Sequence, residues 1–246
     1  MPFPYSKSLK KFAFLSVFVA LCITLGVGFA PEPSAMASTV SSAAPNQGRV
    51  ILRGRSDVPK IAFTFDDGPH PINTPKILAI LRQYHVPATF FTEGRYVQQY
   101  PWFVKQELAA GHIVGNHTWD HPELPTLSPQ QQTQEIASTS AMMRQMTGVT
   151  PPFLRPPYGE LDEPVKQEIV ANHLSTVLWD IDPRDWSCPG IESIINTVLS
   201  NAHHGAIVLM HDGGGDRSQT VAALPEIIQG LRQRGYTLVT ISPLLR

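Results

Sequence analysis

From about Val50 to the C-terminus, short apolar runs alternate with longer stretches of helical periodicity, roughly seven times over. The runs at 61–65, 88–92, 112–115, 153–155, 175–179, 206–210 and 237–240 read as strands. Helical stretches at 74–83, 102–110, 129–146, 163–172, 191–202 and 221–234 lie between them. A strand, helix, strand order makes successive strands parallel, because only a long crossover returns the chain to the same end of a sheet. Closure into a barrel is the economical way to finish such a sheet, so an α/β barrel is the expected fold.

At 246 residues and 42% hydrophobic, the chain can bury one sizeable core, and a single domain is expected. The formal net charge of -1, with no basic stripe, excludes nucleic acid as a main partner. Residues 1–37 have the layout of an export signal: Lys7, Lys10 and Lys11 precede an apolar stretch from Phe12 to Ala30, and Ala35-Met36-Ala37 offers a small-x-small cleavage pattern. If the segment is not cleaved it serves as an N-terminal anchor, and only then is the membrane a partner; either way the domain is exported. Residues 38–49, rich in Ser, Ala, Pro and Gln, read as a flexible spacer, and 50–246 as the folded domain. After cleavage Cys188 alone remains, so no intrachain disulfide is expected.

In a β/α barrel the chemistry collects at the C-terminal ends of the strands. Titratable and polar residues stand at those places here. Asp66 and Asp67 follow the first run, His117 and His121 the third, Arg155 and Tyr158 the fourth, Asp182 and Asp185 the fifth, and His211 and Asp212 the sixth. The first is the most abrupt: a buried strand stops in two adjacent carboxylates before the punctuation of Gly68-Pro69. A carboxylate in that position is costly to desolvate unless it meets a cation, a metal or a proton donor.

His117 and His121 are four residues apart, so on one helical turn they face the same side and can hold a single metal ion. The protease motif of that spacing has Glu directly after the first His; Thr118 stands there, so the base must come from elsewhere. Asp66 and Asp67 supply what is missing. One carboxylate completes a three-ligand site with the two imidazoles, and the other is left to take a proton from water. A divalent ion brings the pKa of its water toward about 7 and polarises a carbonyl, which makes acyl attack feasible at neutral pH. A leaving amine also needs a general acid, and His211 is the candidate, with Asp182 or Asp185 to fix its tautomer and raise its pKa. A glycosidase reading that pairs Asp66 with Asp185 leaves both histidines without a task. His70 reads as a loop cap, His112 as an interior histidine, and Trp119 and Trp179 as packing residues.

Five ordered stretches resemble the motifs of the NodB-type polysaccharide deacetylases, carbohydrate esterase family 4: Thr64-Phe65-Asp66-Asp67-Gly68-Pro69, His117-Thr118-Trp119-Asp120-His121-Pro122, Arg155-Pro156-Pro157-Tyr158-Gly159, Asp182-Pro183-Arg184-Asp185-Trp186 and Leu209-Met210-His211. The resemblance runs from about Lys60 to the C-terminus. It implies a distorted (β/α)7 barrel that removes N-acetyl, or O-acetyl, groups from a polysaccharide with the help of a divalent metal. Asp66 would be the base, Asp67, His117 and His121 the metal ligands, and Arg155 the residue that holds Asp66. The backbone N–H of Tyr158 would stabilise the oxyanion. His211 would be the acid, assisted by Asp185 in preference to Asp182, with Trp186 walling the groove and Leu209 lining a pocket for the acetyl methyl. The expected ion is zinc, with cobalt or another first-row ion as alternatives. The expected partner is an N-acetylated glycan, first peptidoglycan, then chitin-type oligomers or acetylated xylan.

Overall fold

The structure, a computed structural model, describes residues 48–246. The expected export segment, and all of the expected spacer except its last two residues, lie outside the described residues. In chain order the elements are β1 (Val50–Ile51), β2 (Lys60–Gly68), α1 (Asn73–Gln83), β3 (Thr89–Thr92), α2 (Gly94–Gln99), α3 (Pro101–Ala109), β4 (Ile113–Asn116), α4 (Pro129–Thr147), β5 (Phe153–Leu154), α5 (Glu163–Ala171), β6 (Ser175–Val177), α6 (Ile191–Asn201), β7 (Ile207–His211), α7 (Ser218–Gln233), β8 (Thr237–Val239) and α8 (Ile241–Leu244).

Every pairing between these strands is parallel, in the order β1-β6-β5-β4-β3-β2-β7, with β8 joined to the start of β2. A single bridge, Ile181 to Val208, ties the segment after β6 back to β7 and closes the ring. The fold is therefore a distorted (β/α)7 barrel, with one seam held by a lone bridge. No helix among the described residues is long and apolar enough to cross a membrane.

Strand alternation decides which side chains reach the interior. Along β2, Ile61, Phe63 and Phe65 face outward into a core shared with Ile77 and Leu81 of α1, Ile194 of α6 and Leu224 of α7. Ala62 faces the other way, into an inner cluster with Phe91, Val177, Ile207 and the plug residues Ile241 and Leu244 of α8. Period two then sends Thr64 and Asp66 inward above Ala62. On β7 the same rule sends Ile207, Leu209 and His211 inward, while Val208 and Met210 join the outer core. Asp66 and His211 are register partners at the tops of adjacent strands.

Two boundaries differ from the sequence reading for physical reasons. β2 continues through Asp66 and Asp67 to Gly68, because β3 and β7 flank it on both sides and keep pairing beyond the apolar run, with a register shift between Asp66 and Gly68. α7 begins at Ser218, before its first apolar residue, and carries Pro225 within it. Helix ends are set locally elsewhere: a capping box between Ser128 and Gln131 opens α4, Gly148 at φ 77° closes it, and Asp162 caps α5 by accepting from Val165 N–H at 2.9 Å.

Phe90 is fully buried and stacks on Phe65 with ring centroids 5.2 Å apart. Truncating it removes the contact that joins β3 to the outer core. Phe90→Ala should cost about 3–5 kcal/mol in urea unfolding, the range for deleting a buried aromatic ring.

Candidate active site

The last inward positions of the strands converge at the open end of the barrel. Asp66, Asp67, His117, His121, Leu209 and His211 line a cleft of about 440 Å³, together with Tyr158, Trp179 and Trp186.

Arg155 anchors this face. It is fully buried, and its Nη1 donates to Asp66 Oδ1 at 2.7 Å and to Thr64 Oγ1 at 2.8 Å. Nε and Nη2 donate to the carbonyls of Val177 and Leu178, at 3.2 and 3.0 Å. The guanidinium lies over the Phe91 ring, 4.3 Å from its centroid. A buried cation with its donors distributed in this way can move very little, so Asp66 is held with Oδ2 left over, 3.8 Å from His117 Nε2.

Asp67 has φ 69°, a conformation L residues avoid, and this turns its carboxylate away from Asp66 and toward the imidazoles. Its Oδ1 lies 3.3 Å from His117 Nε2 and 3.5 Å from His121 Nε2, and it is buried without a hydrogen-bond partner. These three side chains form the one group of ligand atoms, among the described residues, close enough to share an ion. His117 Nδ1 sits 2.7 Å from the carbonyl of Arg155, so it carries a proton and directs Nε2, the nitrogen that would ligate an ion, at Asp67. An orphaned carboxylate oxygen facing two imidazole nitrogens fits a divalent cation such as zinc.

The two histidines converge by a different route from the expected helical turn. Residues 117–121 form a bend, with Thr118 at φ 65° and His121 at φ 67°. Asn116 Oδ1 accepts from Thr118 N–H, and Thr118 Oγ1 from His121 N–H, which secures it. Burial lowers the His117 pKa, but Asp66 and Asp67 outweigh it and raise it to about 9. Burial and the neighbouring His117 push His121 down to about 4. The pair thus carries one positive charge, on His117, and a cation at its Nε2 would take the place of the proton there.

On the opposite side, His211 Nδ1 lies 2.7 Å from Asp185 Oδ1, while Asp185 Oδ2 accepts from His211 N–H at 2.9 Å and Thr220 Oγ1 at 2.7 Å. Asp185, rather than Asp182, is the partner of His211; Asp182 accepts from the N–H of Arg184. Burial lowers the His211 pKa, and the hydrogen bond and charge of Asp185 more than reverse this, so the ring stays protonated to higher pH than an ordinary imidazole.

Tyr158, at φ 60°, is exposed and sets its ring edge-on against His121, centroids 4.6 Å apart. Trp186 is exposed at the rim, with Arg184 over its ring. Leu209 is buried at the cleft floor. Trp179, read from sequence as packing, also lines the cleft. His70 Nδ1 accepts from the N–H groups of Ile72 and Asn73, the expected loop cap, and His112 is buried with Nδ1 accepting from Ala88 N–H.

Other contributors gave no sequence signal of their role. Asp212 N–H and Gly213 N–H both donate to the Asp66 carbonyl, at 3.0 and 3.2 Å. The Asp212 carboxylate is buried beneath Gly68 and hydrogen-bonded to Thr74 Oγ1, and burial raises its pKa to about 7. Any Cβ on Gly213 would collide with the Asp67 carbonyl, so only glycine permits this approach.

The polysaccharide deacetylase family profile matches residues 53–177. A peptidoglycan-N-acetylglucosamine deacetylase of Bacillus cereus is 47% identical over 188 residues, covering 76% of this chain and 88% of the relative. A chitooligosaccharide deacetylase of Sinorhizobium fredii is 35% identical over 201 residues, covering 77% and 94%. Among solved structures, a peptidoglycan N-acetylglucosamine deacetylase in complex with 4-naphthalen-1-yl-N-oxidanyl-benzamide superposes with a TM-score of 0.78 at 34% identity, covering 80% of this chain and 92% of that one.

The raised pKa of His211 has a sign that can be checked. The stabilisation that its protonated form draws from Asp185 is present below the ordinary imidazole pKa and is lost as pH rises through the raised value. In Asp185→Asn, NMR titration of His211 should show protonation shifted to lower pH. An unshifted titration would mean that Asp185 does not hold the charge.

Proposed function

The chain belongs to the polysaccharide deacetylase family and is a polysaccharide deacetylase, a hydrolase of non-peptide carbon–nitrogen bonds, and from that premise we propose that it removes N-acetyl groups from an exported glycan. The observation that carries this reading is the convergence of Asp67, His117 and His121 on one buried, unpartnered oxygen, with Asp66 alongside.

A divalent ion held by Asp67, His117 and His121, zinc first and cobalt next, supplies a Lewis acid that polarises the acetyl carbonyl and acidifies the attacking water. Asp66, pinned by Arg155 with Oδ2 left over, takes the proton from that water as its oxygen attacks the carbonyl carbon. The backbone N–H of Tyr158 donates to the developing oxyanion. As the carbon–nitrogen bond breaks, His211 gives its proton to the leaving amine through Nε2, because Nδ1–H is engaged by Asp185. The products are acetate and a free amino sugar. Leu209 accommodates the acetyl methyl, and Trp186 walls the groove against a sugar ring.

Peptidoglycan is the first substrate proposed and chitin-type N-acetylglucosamine oligomers the second, in keeping with the two kinds of relative. O-acetyl groups, as on xylan, are a third possibility with the same attack. Residues 1–37 are proposed as the export signal, or as a membrane anchor if uncleaved, 38–49 as a spacer and 50–246 as the deacetylase domain, placing the enzyme at the cell envelope or outside it.

Acetate release should be scored on peptidoglycan, chitooligosaccharide and acetylated xylan with added zinc or cobalt. Chelation should abolish release and metal restore it. Asp66→Asn should lower kcat by about 10²–10⁴-fold, the usual contribution of a general base, with bound metal unchanged. Full turnover under chelator contradicts the reading, and so does a catalytically retired barrel that binds glycan and releases no acetate.

A further inference from the structure

Arg217, at the start of α7, is a buried cation that the chemistry above does not use. It is 3% exposed and lines the same cleft, where it is the one Lys or Arg. Nε donates to the Gly213 carbonyl at 2.7 Å, and Nη1 to the carbonyls of Asp216 at 3.0 Å and Trp186 at 3.4 Å. These bonds fix the guanidinium between the glycine-rich loop after His211 and the wall of the groove. Nη2 donates to no acceptor, and Arg217 makes no ion pair, among the described residues.

Contrast Arg155, equally buried, whose charge meets Asp66 directly. Burying a guanidinium without a carboxylate is costly, and such a charge normally finds a partner. Asp216, next in sequence, turns its carboxylate to Ser218 instead. Gly214 and Gly215, both at positive φ, put no side chain of their own beside Nη2: a Cβ on Gly214 would stand 3.3 Å from Nη2, and one on Gly215 3.5 Å. The Cβ on Gly214 would also collide with Asp67 Oδ2, a nearby carboxylate that makes no ion pair with Arg217 among the described residues. Burial, and after it the charge of Arg217, lower the pKa of His70, so this ring lies close to the guanidinium but, as an imidazole, offers it no anion. Of the lining carboxylates, Asp66 is paired with Arg155 and Asp67 faces the imidazoles, which leaves Asp182 as the anion of the groove wall. Arg217 is the Lys or Arg side chain that lines the cleft without an ion-pair partner.

We propose that Arg217 is a specificity-determining residue whose free Nη2 receives a carboxylate carried by the glycan, so that the enzyme prefers an acidic strand to a neutral one. This rests on the deacetylase reading and deepens it. Chitin-type oligomers carry no acid, whereas peptidoglycan strands carry carboxylates on the lactyl ether of every second sugar or on the peptide attached there. Arginine suits that partner better than lysine, because its planar fork keeps one donor edge for the ligand while the others hold the loop.

The test compares three peptide-free tetrasaccharides with zinc present: neutral chitotetraose, an alternating N-acetylglucosamine and N-acetylmuramic acid oligomer with free lactyl carboxylates, and its methyl ester. The wild type should deacetylate the free acid with kcat/KM at least about tenfold above that of the ester, the scale of one charge-assisted hydrogen bond. Arg217→Gln should bring that ratio close to one, and Arg217→Lys should restore part of it. Equal kcat/KM for acid and ester in the wild type overturns the assignment, as does a folded Arg217→Gln that keeps the preference. If Arg217→Gln fails to fold, the wild-type ratio decides alone. Absence of acetate from all three substrates would instead refute the deacetylase reading.

Discussion

The buried ion pair between Arg155 and Asp66 is the constraint on which the rest of the cleft depends. Neither group has water to fall back on, and each is the other's compensation. Removing one member of such a pair typically costs 3–5 kcal/mol, because the survivor is left buried and uncompensated. The same guanidinium reaches the carbonyls of Val177 and Leu178, just where the barrel seam is weakest, so it links the top of β2 to the end of β6. Its own carbonyl fixes the tautomer of His117. One residue thus sets the aim of the proposed base and the ring orientation of a proposed ligand.

Around that pair the backbone is held in conformations that would not persist alone. Asp67, Thr118, His121 and Tyr158 all have positive φ, and each such residue costs on the order of 1–3 kcal/mol. The well-packed outer core between the strands and α1, α6 and α7 offsets this. Asp212 contributes from beneath, with two N–H groups in its loop clamped on the Asp66 carbonyl and its carboxylate tied to α1 through Thr74. The rigidity matters for chemistry, since a base and a ligand on adjacent residues must point in different directions.

Much of this was legible in the sequence, and the exceptions have physical causes. The seven expected strands are all present because each is a continuous apolar run. β1, α2 and α8 were not foreseen, being too short to show a period. His117 and His121 both approach Asp67, but not by the helical turn that their spacing suggests, since a bend locked by Asn116 and Thr118 replaces it. Asp185 could be preferred to Asp182 only by resemblance; the approach of the loop after β6 to the end of β7 makes the distinction in space. Glu107 of α3 is fully buried, its pKa raised by burial and by Asp212, a position no local sequence pattern marks. Thr220 and Arg217 likewise meet their partners across long sequence separations that no local pattern encodes.

The central claim is that Asp67, His117 and His121 share one divalent ion while Asp66 remains outside its coordination. Anomalous diffraction from crystals soaked in zinc tests it most directly. The account predicts a single strong peak within about 2.0–2.2 Å of Asp67 Oδ1 and both Nε2 atoms, with Asp66 still paired to Arg155. A peak elsewhere, or one ligated by Asp66 in place of Asp67, would contradict it.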